Sequence, residues 1–158
     1  MSADDAGGSA ALWFLNTRVT LRRTSASSPD GLSIAEHRMP FGESPPLHMH
    51  EREDEIFHIL EGVVRFRVGA SEQVLTAGQT ALAPKGLPHT FRVESEDGAR
   101  CLVMTPGPDF EGLIRDVARP AGDDGLPAPT APTPAMIEAL GAACARRHIR
   151  LLGPPLEG

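Results

Sequence analysis

The chain has 158 residues, 23% charged and 41% hydrophobic, with a formal net charge of −6, which is the size and make-up of one domain able to close its own core. The largest basic cluster is Arg146 and Arg147 with Arg150 nearby, too small to make a nucleic-acid backbone the main partner of an acidic chain. No apolar run approaches the ~20 residues that span a bilayer.

The first ten residues, "MSADDAGGSA", are acidic and small rather than basic then apolar, and read as a disordered tail and not a signal peptide. Leu12 to Arg22 ("LWFLNTRVTLR") reads as one strand, ended by the flexible run "TSASSPDG". Leu32 to Met39 is a second strand, stopped by Pro40. Short β-like runs follow at turn-sized intervals: "EIFHIL", "VVRFRV", "QVLT", "TALAP", "HTFRVE" and "ARCLVMT". In "VVRFRV", Val64, Phe66 and Val68 share one face while Arg65 and Arg67 share the other. Many short strands at this spacing indicate a sandwich or barrel.

After Thr105 the pattern changes. Asp109 is placed to cap a helix that carries Phe110, Leu113, Ile114 and Val117 at helical spacing. Residues 119–133 form a proline-rich linker. Thr133 then caps a second helix that begins with Pro134 and runs to about His148. The closing "IRLLGPPLEG" offers a short apolar piece to lie against the barrel or a second subunit. The expected organisation is a tail (1–10), a β-barrel with a following short helix (11–118), a linker (119–133) and a C-terminal helix and tail (134–158). Cys101 and Cys144 are far apart and read as reduced, buried thiols in a cytoplasmic protein.

The chemistry sits in the middle of the chain. His48 and His50 are one residue apart, so on a strand they project to the same face. Glu55 opens the apolar strand "EIFHIL", where an unpaired carboxylate is poorly placed for a core. His89 begins another strand. Three imidazoles and one carboxylate suit one divalent transition metal (Fe, Mn, Ni, Co, Cu or Zn), with positions left open for water or substrate.

These residues also follow a known pattern. The chain resembles the cupin family, whose first motif, G-x5-H-x-H-x3,4-E-x6-G, is met by Gly42, His48, His50, Glu55 and Gly62. The second, G-x5-P-x-G-x2-H-x3-N, is met by Gly78, Pro84, Gly86 and His89, with Val93 where the motif has asparagine. Nine of the ten fixed positions agree. The resemblance covers Leu32 to Met104 closely. It implies an all-β fold, a double-stranded β-helix (jelly-roll) barrel with short C-terminal helices, in which His48, His50, Glu55 and His89 converge on one metal. The flanking segments around Trp13, "PDFEGLIRDV" and "LLGPPL" are similar to small single-domain cupins described as quercetin-dioxygenase-like.

Strand parity extends the site. Phe57 shares the face of Glu55, Phe91 and Val93 share that of His89, and Phe66 can join them. The expected substrate pocket is therefore apolar and aromatic, suited to a planar organic molecule. With no tyrosine in the chain, Glu55 is the candidate for both metal ligand and catalytic proton acceptor. His37, His58 and His148 read as surface, interface or helix-end residues, and Trp13 and Phe14 as packing or dimer contacts. Within "EREDE" only Glu55 has a reason to turn inward.

The leading functional expectation is a metal-dependent dioxygenase acting on a small aromatic or flavonol-like compound. Alternatives are a non-catalytic metal or small-molecule binder, and a Lewis-acid cyclase or isomerase of polyketide metabolism. A homodimer is expected, with no nucleic-acid or membrane partner.

Overall fold

The computed structural model describes residues 10–158, so the expected tail, apart from Ala10, lies outside the described residues. Twelve strands fall into two antiparallel sheets. The strands are β1 (Ala11–Phe14), β2 (Thr17–Arg23), β3 (Ser33–Met39), β4 (Pro46–His50), β5 (Glu55–Glu61), β6 (Val63–Val68), β7 (Ser71–Thr76), β8 (Thr80–Ala83), β9 (His89–Val93), β10 (Ala99–Thr105), β11 (Arg119–Pro120) and β12 (Ile149–Pro155). One sheet runs β11-β1-β2-β3-β10-β5-β8 and the other β12-β4-β9-β6-β7. Among the described residues the α-helices are α1 (Asp109–Val117) and α2 (Pro134–Arg146), with one 3-10 turn at Ser25–Ser27. This is the all-β jelly-roll architecture the sequence led us to expect, with two short helices near its C-terminal end.

Alternation builds both inner faces. Phe57 and Ile59 of β5, Val64 and Phe66 of β6, Val93 of β9, and Cys101 and Val103 of β10 are buried together between the sheets. A second cluster joins Phe14, Val19, Leu21 and Ala35 to Leu113 and Ile114 of α1 and to Ala143 and Cys144 of α2. Phe110, at the start of α1, packs against both clusters. At the β5–β6 corner the chain passes between the sheets at Gly62, whose φ is 88°. A Cβ there would stand 2.5 Å from the Gly98 carbonyl oxygen, so only glycine fits.

Several local expectations change. The stretch Leu12 to Arg22 is two strands rather than one, because Leu15 takes a left-handed φ of 54° and folds β1 back on β2. The Thr17 hydroxyl closes that turn by donating to the Phe14 carbonyl at 2.7 Å. In the proline-rich segment, β11 pairs with β1 and the Trp13 indole donates to the Gly125 carbonyl. Helix α2 ends at Arg146, two residues short of His148, while the Thr133 hydroxyl accepts from the Met136 amide as a cap. The C-terminal segment lies against the barrel, as strand β12 on the outer edge of β4. An exposed edge of β4 would leave a row of unpaired backbone groups, and β12 satisfies them.

The largest correction concerns the acidic run. Asp109 is the first residue of α1 and not its cap; the residue before the helix is Pro108, which has no side chain to cap with. The helix amides are served instead by Glu53, whose carboxylate accepts from the Asp109 amide at 2.8 Å and the Phe110 amide at 3.0 Å. Glu53, expected in a solvated turn, is only 3% exposed. The physical reason is that a helix N-terminus has free amides and a positive dipole end, and the barrel folds the 51–54 turn directly beneath it. Glu53→Ala should therefore lower unfolding stability by about 2–3 kcal/mol in urea titration. Glu51→Ala, which removes only an exposed carboxylate 3.7 Å from Arg150, should change it by less than about 0.5 kcal/mol.

Candidate metal centre

Three strands deliver the four side chains that the sequence singled out. β4 supplies His48 and His50, β5 begins at Glu55, and β9 begins at His89. His48 and His89 are direct partners across the β4–β9 pair. The ligand-capable atoms of His48, His50, Glu55 and His89 all lie within 4.8 Å of one another, and the group could hold a metal ion. Glu55 Oε2 is the meeting point: His89 Nε2 lies 2.8 Å away, His50 Nε2 3.0 Å and His48 Nε2 4.0 Å.

The far nitrogens assign the tautomers. His48 Nδ1 lies 2.7 Å from the Pro46 carbonyl and His89 Nδ1 3.2 Å from the Leu87 carbonyl. A carbonyl only accepts, so each Nδ1 carries the proton and each Nε2 presents a lone pair. Those lone pairs face a carboxylate oxygen inside a buried space. Like-signed groups converge there unless a cation or protons lie among them, and this is the donor set that a first-row divalent metal needs.

The titration directions agree. Burial drives the His50 imidazole down, but the Glu55 charge, helped by Glu53 and Asp109, outweighs it and raises its pKa. Burial pushes Glu55 up, yet the His50 charge and its hydrogen bond outweigh that and hold Glu55 well below the usual carboxylate range. For His48, burial and the neighbouring His89 and His50 outweigh Glu55 and lower it to about 4. The two opposite shifts both mark a place that favours positive charge beside the Glu55 carboxylate.

The surrounding cavity, about 80 Å³, is lined largely by apolar groups including Phe14, Phe57, Phe91, Phe110, Met39 and Leu140. Of the four expected pocket residues, Phe57 and Phe91 reach it. Phe66 and Val93 do not; they are correctly inward-facing but one layer deeper, where Phe66 packs on Phe57 and Phe91 at 5.0 and 5.6 Å. Parity fixes which face a side chain takes, but not how far down the barrel the space remains open. Val93, where the motif has asparagine, is fully buried and aligned with Val64, so it is a packing residue.

Sequence reasoning missed three groups at this site. His37 lines the cavity and is 5% exposed, rather than lying on the outer face. Ala35 and Met39 share its parity and are buried with it, a signal present in the sequence. Glu43 also lines the cavity, and burial raises its pKa against a hydrogen bond with Asn16. Phe110 sits edge-on to His50 at 5.7 Å, a contact that depends on where α1 docks. His58 points away from the site, to Thr80.

Comparisons with known proteins agree with this architecture. Residues 35–105 match the family model described as "Cupin domain". A predicted oxalate decarboxylase from Thermotoga maritima is similar in fold, with a TM-score of 0.58 and 18% identity over 67% of this chain and 98% of that one. KdgF from Halomonas sp. gives a TM-score of 0.53 and 20% identity over 61% and 84%. The Cnp3 cupin domain of Schizosaccharomyces pombe gives 0.53 and 16% over 69% and 74%. At such identities the likeness is one of fold. No curated protein matches this chain.

Cation binding must displace the His50 proton. Since that pKa is raised above 6.5, affinity for Zn(II) or Co(II) should fall as pH drops through and below it, by up to about tenfold per pH unit. Calorimetry in buffers of different ionisation enthalpy should show proton release on binding. His50→Ala and His89→Ala should each weaken binding by more than roughly 100-fold while the fold, read by circular dichroism, persists.

Proposed function

We propose that this chain, which belongs to the cupin family, is a divalent-metal enzyme of the dioxygenase type acting on a small, largely apolar ring compound. The observation that carries the reading is the pairing of a complete three-histidine, one-glutamate donor set with a cavity walled by phenylalanines. A bound divalent cation would supply fixed positive charge, and iron, manganese, nickel or copper would add the redox capacity that oxygenation needs.

The protein's own residues do the rest. Phe57, Phe91 and Phe110 offer ring edges and faces to a planar substrate and keep water out. Glu55, itself a member of the donor set, is the proton acceptor, held ionised by His50 despite full burial. It can take a proton from a substrate hydroxyl as that oxygen is drawn into the centre. The cavity, at about 80 Å³, is far below the ~300–1,000 Å³ of drug-sized pockets. A single ring therefore suits it better than a three-ring flavonol. No arginine or lysine lines it among the described residues, so beyond the cation itself the walls offer no counter-charge to an anionic substrate.

The test is oxygen uptake by protein reconstituted singly with Fe(II), Mn(II), Co(II), Ni(II), Cu(II) and Zn(II), offered catechols and cyclic enols of one ring. Uptake is expected with at least one redox-active metal and should fall by roughly 100-fold or more in Glu55→Gln. Binding without uptake under every metal would leave the non-catalytic or Lewis-acid alternatives.

A further inference from the structure

Outside the four-residue donor set, the polar side chains lining the cavity are Thr17, His37, Glu43, Cys101 and Cys144. All but one are accounted for. The Thr17 hydroxyl donates to the Phe14 carbonyl, and Glu43 is hydrogen-bonded with Asn16. Burial pushes the Cys101 and Cys144 thiols up to about 12 and about 11, so both stay uncharged, weak donors. His37 is different. Its Nε2 is buried and has no hydrogen-bond partner among the described residues.

The position of this imidazole is fixed. β3 is paired on both sides, with His37 opposite Val19 of β2 and Cys101 of β10. Its ring stacks on Phe110 at 5.9 Å with an interplanar angle of 14°. Phe110 in turn stands edge-on to His50, so one phenyl ring contacts both His37 and the donor set. A core position that needed only a flat apolar group beside Phe110 would be served better by phenylalanine or leucine, since an unpaired buried nitrogen is destabilising. Unpaired buried groups of this kind are uncommon, and an imidazole that lines a cavity with a nitrogen left unpaired is available to a ligand.

We propose that His37 is a specificity-determining residue, whose imidazole hydrogen-bonds a second oxygen function on a ring compound held at the His48, His50, Glu55 and His89 centre. This rests on the metal-and-cavity reading above. Burial lowers the His37 pKa to about 4 against the raising influence of Glu55, so the ring is neutral at pH 7. A neutral imidazole presents one donor and one acceptor, and matches a hydroxyl or a carbonyl. A second carboxylate would add buried negative charge with no cation beside it, and is excluded. The ligand class is thus a single ring with one oxygen, or an adjacent pair, directed at the centre and one further neutral hydroxyl or carbonyl.

Anaerobic calorimetry on the Co(II)-loaded full chain tests this with catechol, pyrogallol and 1,2,4-benzenetriol, the last two adding one hydroxyl at different reach. In the wild type at least one triol should bind about tenfold more tightly than catechol. His37→Phe, which keeps an aromatic ring beside Phe110, should erase that preference while leaving Co(II) content and catechol affinity within about twofold. His37→Leu should do the same and guards against misfolding of the first variant. Equal binding of catechol and both triols by the wild type, or a preference that survives in the variants, would overturn the role of His37 alone. Failure of catechol to bind the loaded wild type would overturn the underlying reading together with it.

Discussion

A buried point where three imidazole nitrogens meet one carboxylate oxygen is the constraint around which this barrel is arranged. Glu55 Oε2 has His89, His50 and His48 Nε2 atoms at 2.8, 3.0 and 4.0 Å, and backbone carbonyls turn the lone pairs of His48 and His89 toward it. Such a cluster is electrostatically incomplete without positive charge. The raised His50 and depressed Glu55 pKa values express that need in protons. A divalent cation would meet it better, since it can be shared by all four groups at once.

The rest of the molecule holds that point in place. β4, which carries two of the histidines, is bounded by β9 on one side and β12 on the other, so its backbone has little freedom. Ile149 stands opposite His50 and Leu151 opposite His48. The turn before β9 is tied down by the Gly86 amide on the His50 carbonyl and the Lys85 amide on Asp54. Glu53 anchors α1 and with it Phe110, which touches His50, His37 and Phe14. Three successive acids, Glu53, Asp54 and Glu55, therefore each fix a different part of the site. The cavity between the donor set and α1 is apolar because both core clusters border it and Phe110 belongs to both.

Much of this was legible in the chain. Period-two alternation and turn residues gave most strand positions, and the spacing of His48, His50, Glu55 and His89 marked the four residues that do converge. Glu53 was misread because its partners, the amides of Asp109 and Phe110, are distant in sequence. The surface reading of His37 overlooks its shared parity with Ala35 and Met39, which belong to the buried face. Phe66 and Val93 were assigned to the right side of their strands but the wrong depth. The strand β12 escaped notice since Gly153, Pro154 and Pro155 are poor strand formers, accepted here at a sheet edge.

By itself the sequence determined which residues alternate inward and which four could serve as metal donors, because those properties depend on local periodicity and on side-chain chemistry. Only the tertiary structure decided what caps α1, which strand closes the edge of β4, how deep the cavity runs, and that an imidazole with an unpaired nitrogen lines it. Each of those depends on groups far apart in the chain meeting in space, and no local pattern carries that information.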